Sequence, residues 1–163
     1  MKALALLVIP ATLLGVLISS GRVEGSRLDT AVAQDAILPA NVPTGALTAI
    51  ISYVDALNEA AHTGNAWKLR TSAYEGCGCL AIANTWESIY EKANVLGGAY
   101  QITSIVPIEI GSKSVTLEVR IHRSQMLHID RASGVQELWE PKDSTTIFQE
   151  KVIDGTWWIV QTR

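Results

Sequence analysis

The hydrophobic pattern changes period at Gly97-Gly98, and that change limits the folds open to the chain. Before the glycines, apolar residues recur at three- and four-residue steps, the spacing of one helix face. Leu47, Ile50, Ile51, Val54, Leu57 and Ala61 form one such stripe. Thr44 is placed to cap that helix and Gly64 to end it, since glycine takes the left-handed turn without a Cβ penalty. A short helical turn is expected over 67–70. A second long helix is expected over 80–95, burying Ala83, Trp86, Ile89, Tyr90 and Ala93 and stopped by the glycine pair.

After the glycines the pattern alternates. Residues 100–110 read as a strand ended by Gly111-Ser112. Val115, Leu117, Val119 and Ile121 then share one face of a second strand, opposite Thr116, Glu118, Arg120 and His122. A turn near 131–134 precedes a third strand over 145–153. Asp154-Gly155 is a hairpin signal, and the last strand covers 156–162. Helices first and a meander afterwards predict an α+β fold, with N-terminal helices packed on an antiparallel sheet of about four strands.

At 163 residues and 48% hydrophobic content the chain can bury the core of one domain. A net charge of −3 and the absence of any basic cluster exclude an electrostatic grip on nucleic acid. Residues 3–18 carry no charge and follow Lys2, the pattern of a signal peptide or membrane anchor. Ser19 and Gly21 permit cleavage before Arg22. The expected organisation is therefore a leader or anchor over 1–21, a flexible spacer of small residues and prolines over 22–43, and a domain over 44–163. The location is extracytoplasmic, either secreted or held at the membrane by the uncleaved segment.

Cys77 and Cys79, the only cysteines, are separated by Gly78. In an oxidising compartment this spacing favours a local disulfide. Closing so short a loop constrains the unfolded chain by only about 1.6 kcal/mol. The competing reading is a redox dithiol activated by the helix that follows, but such pairs carry a second intervening residue and a βαβ context. A metal site would need further ligands, and none lies close in sequence; no cofactor is called for. His122 and His128 would stand about 20 Å apart along one strand, too far to share a metal, and read as surface histidines. His62 near the end of the first helix complements the helix dipole.

Arg123 and Gln125 continue the apolar face that resumes with Leu127 and Ile129. Polar groups there must find partners or line a cavity, unless a strand irregularity leaves them in water, which is the favoured reading. Trp86, Trp157 and Ile159 read as core.

The order of elements and the closing Asp154-Gly155-Thr156-Trp157-Trp158-Ile159-Val160 resemble the nuclear-transport-factor-2-like superfamily. Its members form a cystatin-like cone, a curved antiparallel sheet wrapped around helices. Residues 44–100 further resemble an uncharacterised family of actinobacterial cell-envelope lipoproteins. That likeness rests on Tyr53-Val54-Asp55-Ala56-Leu57-Asn58-Glu59-Ala60, Thr63-Gly64-Asn65, Cys77-Gly78-Cys79 and Gly97-Gly98. The chain departs from that family in lacking a lipobox cysteine and in having one residue rather than two between its cysteines.

The resemblance implies a pocket for a small apolar ligand on the concave sheet face, with Tyr53, Asp55, Tyr90, Arg123 and Gln125 as candidate residues and Tyr100 near the mouth. It also implies an isomerase option, in which a tyrosine donates a hydrogen bond and Asp55 serves as base. No second buried carboxylate completes an acid–base pair, so no catalytic residue is assigned. The leading expectation is a non-catalytic envelope domain that binds a small apolar ligand or an envelope protein, with a homodimer through the sheet as a further partner. The alternatives are an isomerase- or dehydratase-type enzyme in the cone pocket and a thiol oxidoreductase using Cys77 and Cys79.

Overall fold

The computed structural model describes residues 31–163, so the expected leader over 1–21 lies outside the described residues. Helix α1 (Thr44–Thr63) buries the predicted stripe, including Ile50, Val54, Leu57 and Ala61, together with Tyr53 and Asn58. Thr44 is its first helical residue rather than its cap; Pro43 stands at the N-cap position and no side chain caps the end. Gly64 ends the helix in the left-handed conformation, as its position in the sequence predicts. Helix α2 (Trp67–Thr71) is the short turn, and α3 (Ala81–Lys92) the second amphipathic helix.

Helix α3 stops earlier than its pattern predicts. From Ala93 the chain alternates, with Ala93 and Val95 buried and Asn94 and Leu96 exposed, and it forms β2 (Ala93–Gly97). Residues 93–97 pair with β5 (Met126–Asp130), and those ladder bonds replace the final helical turn. The glycine pair therefore ends a strand, not a helix. Gly98 has φ 81° and packs so tightly that a Cβ there would sit 2.1 Å from Met126 Cγ. Only glycine satisfies both constraints.

The larger sheet has five strands in the order β1 (Val32–Ile37), β3 (Tyr100–Ile110), β4 (Ser114–Arg123), β7 (Lys142–Ile153) and β8 (Thr156–Thr162). Its pairings are antiparallel except β1 with β3. Strand β1 lies inside the stretch expected to be a spacer. It is a half-exposed edge strand, and such a strand carries little hydrophobic period to read. The smaller sheet orders β2, β5 and β6 (Gln136–Trp139). The strand count exceeds the expected four because β1, β2 and β6 are added and because the chain leaves the larger sheet at Ser124-Gln125 and enters the smaller one, as β5, at Met126. Leu96, Leu127 and Leu138 line up in register across the outer face of that smaller sheet. Asp154 and Gly155 both have positive φ, 51° and 81°, the geometry of the two-residue hairpin that joins β7 to β8.

Helix α1 is fastened to the sheet by a buried polar side chain. Asn58 Nδ2 donates to the Tyr100 carbonyl at 2.9 Å, and Asn58 Oδ1 accepts the Tyr100 N–H at 2.7 Å. Pairing with β1 begins only at Ile102, so Asn58 supplies the partner that the first residue of β3 lacks on that side. Replacing Asn58 with alanine strands two backbone groups at about 1–3 kcal/mol each. Asn58→Ala is expected to lower unfolding free energy by about 2–4 kcal/mol in urea titrations. A loss below about 0.5 kcal/mol would show that the clamp is dispensable.

Candidate functional site

Between the helices and the concave face of the larger sheet lies a cavity of about 300 Å³. Its sheet wall follows from register. Ile121 stands opposite Ser144, and Phe148 stands between Leu117 and Thr162. Ser144, Thr146 and Phe148 alternate along β7 and so share one face. Tyr53 and Leu57, one helical turn apart on α1, supply the opposite wall, and Ile82 adds an apolar contribution from the start of α3. Tyr53 packs edge-on against Phe148, with ring centroids 5.7 Å apart.

Gly78 and Cys79 complete the lining. Cys77 and Cys79 are joined by a disulfide, with both residues buried and Gly78 exposed at the rim. Backbone bonds seat this loop on its neighbours: Cys77 N–H donates to Tyr74 O at 3.0 Å, and Tyr74 N–H donates to Ile159 O at 2.9 Å. The Tyr53 hydroxyl donates to Cys79 O at 3.0 Å, which ties α1 to the same loop. The disulfide thus shapes a wall of the cavity.

Tyr53 and Tyr100 are the titratable groups lining the cavity. Burial, reinforced by Tyr100, pushes Tyr53 up to about 12. Burial also raises Tyr100, against an opposing pull from Arg123. Both phenols are therefore neutral hydrogen-bonding groups at ordinary pH. Ser144, Thr146 and Thr162 add hydroxyls, and among the described residues no carboxylate, histidine, lysine or arginine lines the space.

Of the five candidate pocket residues, the structure places only Tyr53 in this cavity. Asp55 is exposed; two residues on from Tyr53 the helix has turned by about 200°, so Asp55 borders a separate depression with Glu59 and Lys68 and accepts the Ala31 N–H at 3.3 Å. Tyr90 is absent from the lining because its hydroxyl donates to Ala61 O at 2.8 Å, and its ring packs over Gly64. Arg123 turns to the smaller sheet, donating to Glu140 O at 2.7 Å and lying 5.6 Å from the Trp139 ring centroid. Gln125 is exposed in the link between the sheets. His122 pairs with Asp143 at 2.7 Å and His128 stacks on Trp139, and both are half-buried rather than fully solvated. Among the described residues no group of three or more His, Cys, Asp or Glu could hold a metal ion.

The cavity residues that sequence reasoning missed are mainly Ser144, Thr146, Phe148 and Thr162. Their signal is the alternation Ser144-x-Thr146-x-Phe148, whose hydroxyls disguise an inward face. That face ends in Glu150, which is 1% exposed and whose carboxyl burial pushes up to about 8.

No protein-family model matches the sequence, and no curated protein matches it. Solved structures share the fold. The intermembrane-space region of the chloroplast protein ARC6 aligns with a TM-score of 0.53 at 8% identity, over 71% of this chain and 90% of that one. A proposed calcium/calmodulin-dependent protein kinase II association domain from Xanthomonas campestris aligns with a TM-score of 0.50 at 17% identity, over 80% and 92%. A proposed aromatic ring hydroxylase from Novosphingobium aromaticivorans gives 0.50 at 9%, over 71% and 82%. Proteins with a cystatin-like fold and members of the nuclear-transport-factor-2-like superfamily are also among the similar structures. The class defined is the α+β cone with a cavity between helices and sheet.

Tyr53→Phe removes the bond to the Cys79 carbonyl while keeping the ring. It is expected to cost about 1 kcal/mol of stability and to speed amide exchange in residues 74–80. Exchange there unchanged from wild type would contradict the role given to that hydroxyl.

Proposed function

We propose that the chain is an exported, non-catalytic binding domain whose cone cavity holds one small, neutral, largely apolar molecule. The observation that carries this reading is the lining: apolar side chains and neutral hydroxyls, without an acid, base or cation to activate a substrate. A volume of about 300 Å³ lies at the lower end of the range for ligand pockets, about 300–1,000 Å³. Leu57, Ile82, Ile121 and Phe148 favour an apolar body, and the hydroxyls can orient one or two polar atoms.

The solved structures with this fold include both a proposed hydroxylase and a proposed association domain, so the fold alone does not choose between catalysis and binding. The lining supports binding. An isomerase mechanism would need a base within reach of the cavity, and Asp55 borders a different depression. Export is supported by the uncharged run over 3–18 after Lys2 and by the disulfide, since such bonds persist in oxidising compartments. Among the described residues no helix is long and apolar enough to cross a membrane.

Calorimetric titration with naphthalene and with naphthalene carboxylate tests the reading. The neutral compound is expected to bind at least about tenfold more tightly than its anion, because a carboxylate buried without a cationic partner is penalised. Thr146→Trp, which fills the space between β7 and α1, should abolish binding while leaving the circular dichroism spectrum intact. Equal binding of both compounds, or full binding by Thr146→Trp, would overturn the proposal.

A further inference from the structure

Glu150 is 1% exposed, and neither of its carboxyl oxygens has a hydrogen-bond partner. It continues the inward face of β7 that runs through Ser144, Thr146 and Phe148. The residues directly across from it are Val115 on β4 and Ile159 on β8, both buried and apolar. Among the described residues no charged or titratable side chain offsets it. Burial is the sole influence, and it moves the carboxyl from 4.5 to about 8.

The position of this acid on the sheet matters as much as its burial. Strand β8 is an edge of the larger sheet, with β7 as its one strand neighbour. The β7–β8 register slips beside Glu150: Gln149 pairs with Gln161, but Glu150 pairs with Ile159. Ile159 is also the residue whose carbonyl anchors Tyr74, and through it the loop that carries Cys77 and Cys79. Three residues further on, Thr162 lines the cavity. The unpartnered acid therefore sits under the strand that holds one side of the cavity together.

We propose that Glu150 is a proton-operated latch, whose neutral carboxyl keeps β8 and the disulfide loop seated on the cavity and whose ionisation frees them. A carboxylate without a partner in an apolar row is strongly disfavoured. The least costly relief is for β8 to lift and admit water, since no outer strand has to unpair with it. Lifting β8 withdraws Thr162 from the wall and breaks the Tyr74–Ile159 bond.

The direction of the pH effect follows from proton binding. The closed form holds its proton up to about pH 8, whereas an open form releases it at the ordinary value of 4.5. Between these values the closed form binds more protons. Its stability is complete below the lower value, declines as pH rises through the window, and levels off above the upper one. The wall is thus firm in acid and looser in mild alkali. This concerns the protein without ligand, so it stands or falls independently of the binding proposal.

Amide hydrogen exchange of the full chain at about pH 6 and about pH 8.5, each normalised to intrinsic exchange rates, tests the latch. In the wild type, protection of β8 and of residues 74–80 should fall at least about tenfold between the two conditions, with α1 unaffected. In Glu150→Gln, which cannot ionise, protection should hold. Equal losses in both proteins, or a loss spread evenly over the whole chain, would overturn the proposal. Should the variant fail to fold, carbon-13 titration of the wild-type Glu150 carboxyl decides the matter. A midpoint near 8 is expected, and one in the ordinary carboxylate range contradicts the latch.

Discussion

The cone depends on one buried amide. Asn58 reads both backbone groups of Tyr100, and in doing so fixes the distance between α1 and the start of β3. A helix packed by apolar contacts alone could slide along the sheet, because such contacts have no direction. The carboxamide does, and it accepts and donates at one position only. With α1 pinned there, Tyr53 and Leu57 on the preceding turn face the inward side of β7 across an unfilled space. Aromatic contacts extend the same junction: Tyr100 meets Trp86 edge-on, and Trp86 leans on Trp139 of the smaller sheet.

The disulfide loop closes the arrangement from the other side. It bonds to α1 through Tyr53 and to β8 through Tyr74, so it joins the two walls of the cavity. This gives the Cys77–Cys79 pair a purpose that chain entropy alone does not supply, since so short a loop restrains the unfolded chain very little. Its contribution is local shape. The loop in turn rests on an edge strand above an unpartnered acid, which links cavity shape to proton concentration.

Much of this architecture was legible because most elements keep a clean period. The stripe of α1, the alternation of β3 and β4, and the Asp154-Gly155 hairpin each announce themselves locally. The misreadings fall where pairing partners decide. Residues 93–97 suit either a helix end or a strand, and β5 determines which. Strand β1 is half-exposed and reveals itself only by its place beside β3. The irregularity expected at Arg123 and Gln125 is the change of sheets before Met126, which leaves Gln125 in water and turns Arg123 to the smaller sheet.

The site was less legible than the fold for a related reason. Tyr53 is a candidate through the resemblance alone, and the structure buries it beside the apolar stripe of α1. Asp55 and Tyr90 sit near the edges of their stripes, where a rotation of one residue decides between cavity and exterior. Ser144, Thr146 and Glu150 were hidden by polarity, since hydroxyls and carboxylates on a strand normally mark its wet face. Here they stand on the inward face, from exposed Ser144 at one end to buried Glu150.

The space between α1 and β7 is proposed as the site of a small neutral molecule. Amide and methyl chemical-shift mapping during titration with naphthalene locates that site. Perturbations centred on Leu57, Ile82, Ile121 and Thr162, saturating together, are the expected outcome. Perturbations confined to the outer row of Leu96, Leu127 and Leu138, or none at any accessible concentration, would contradict it.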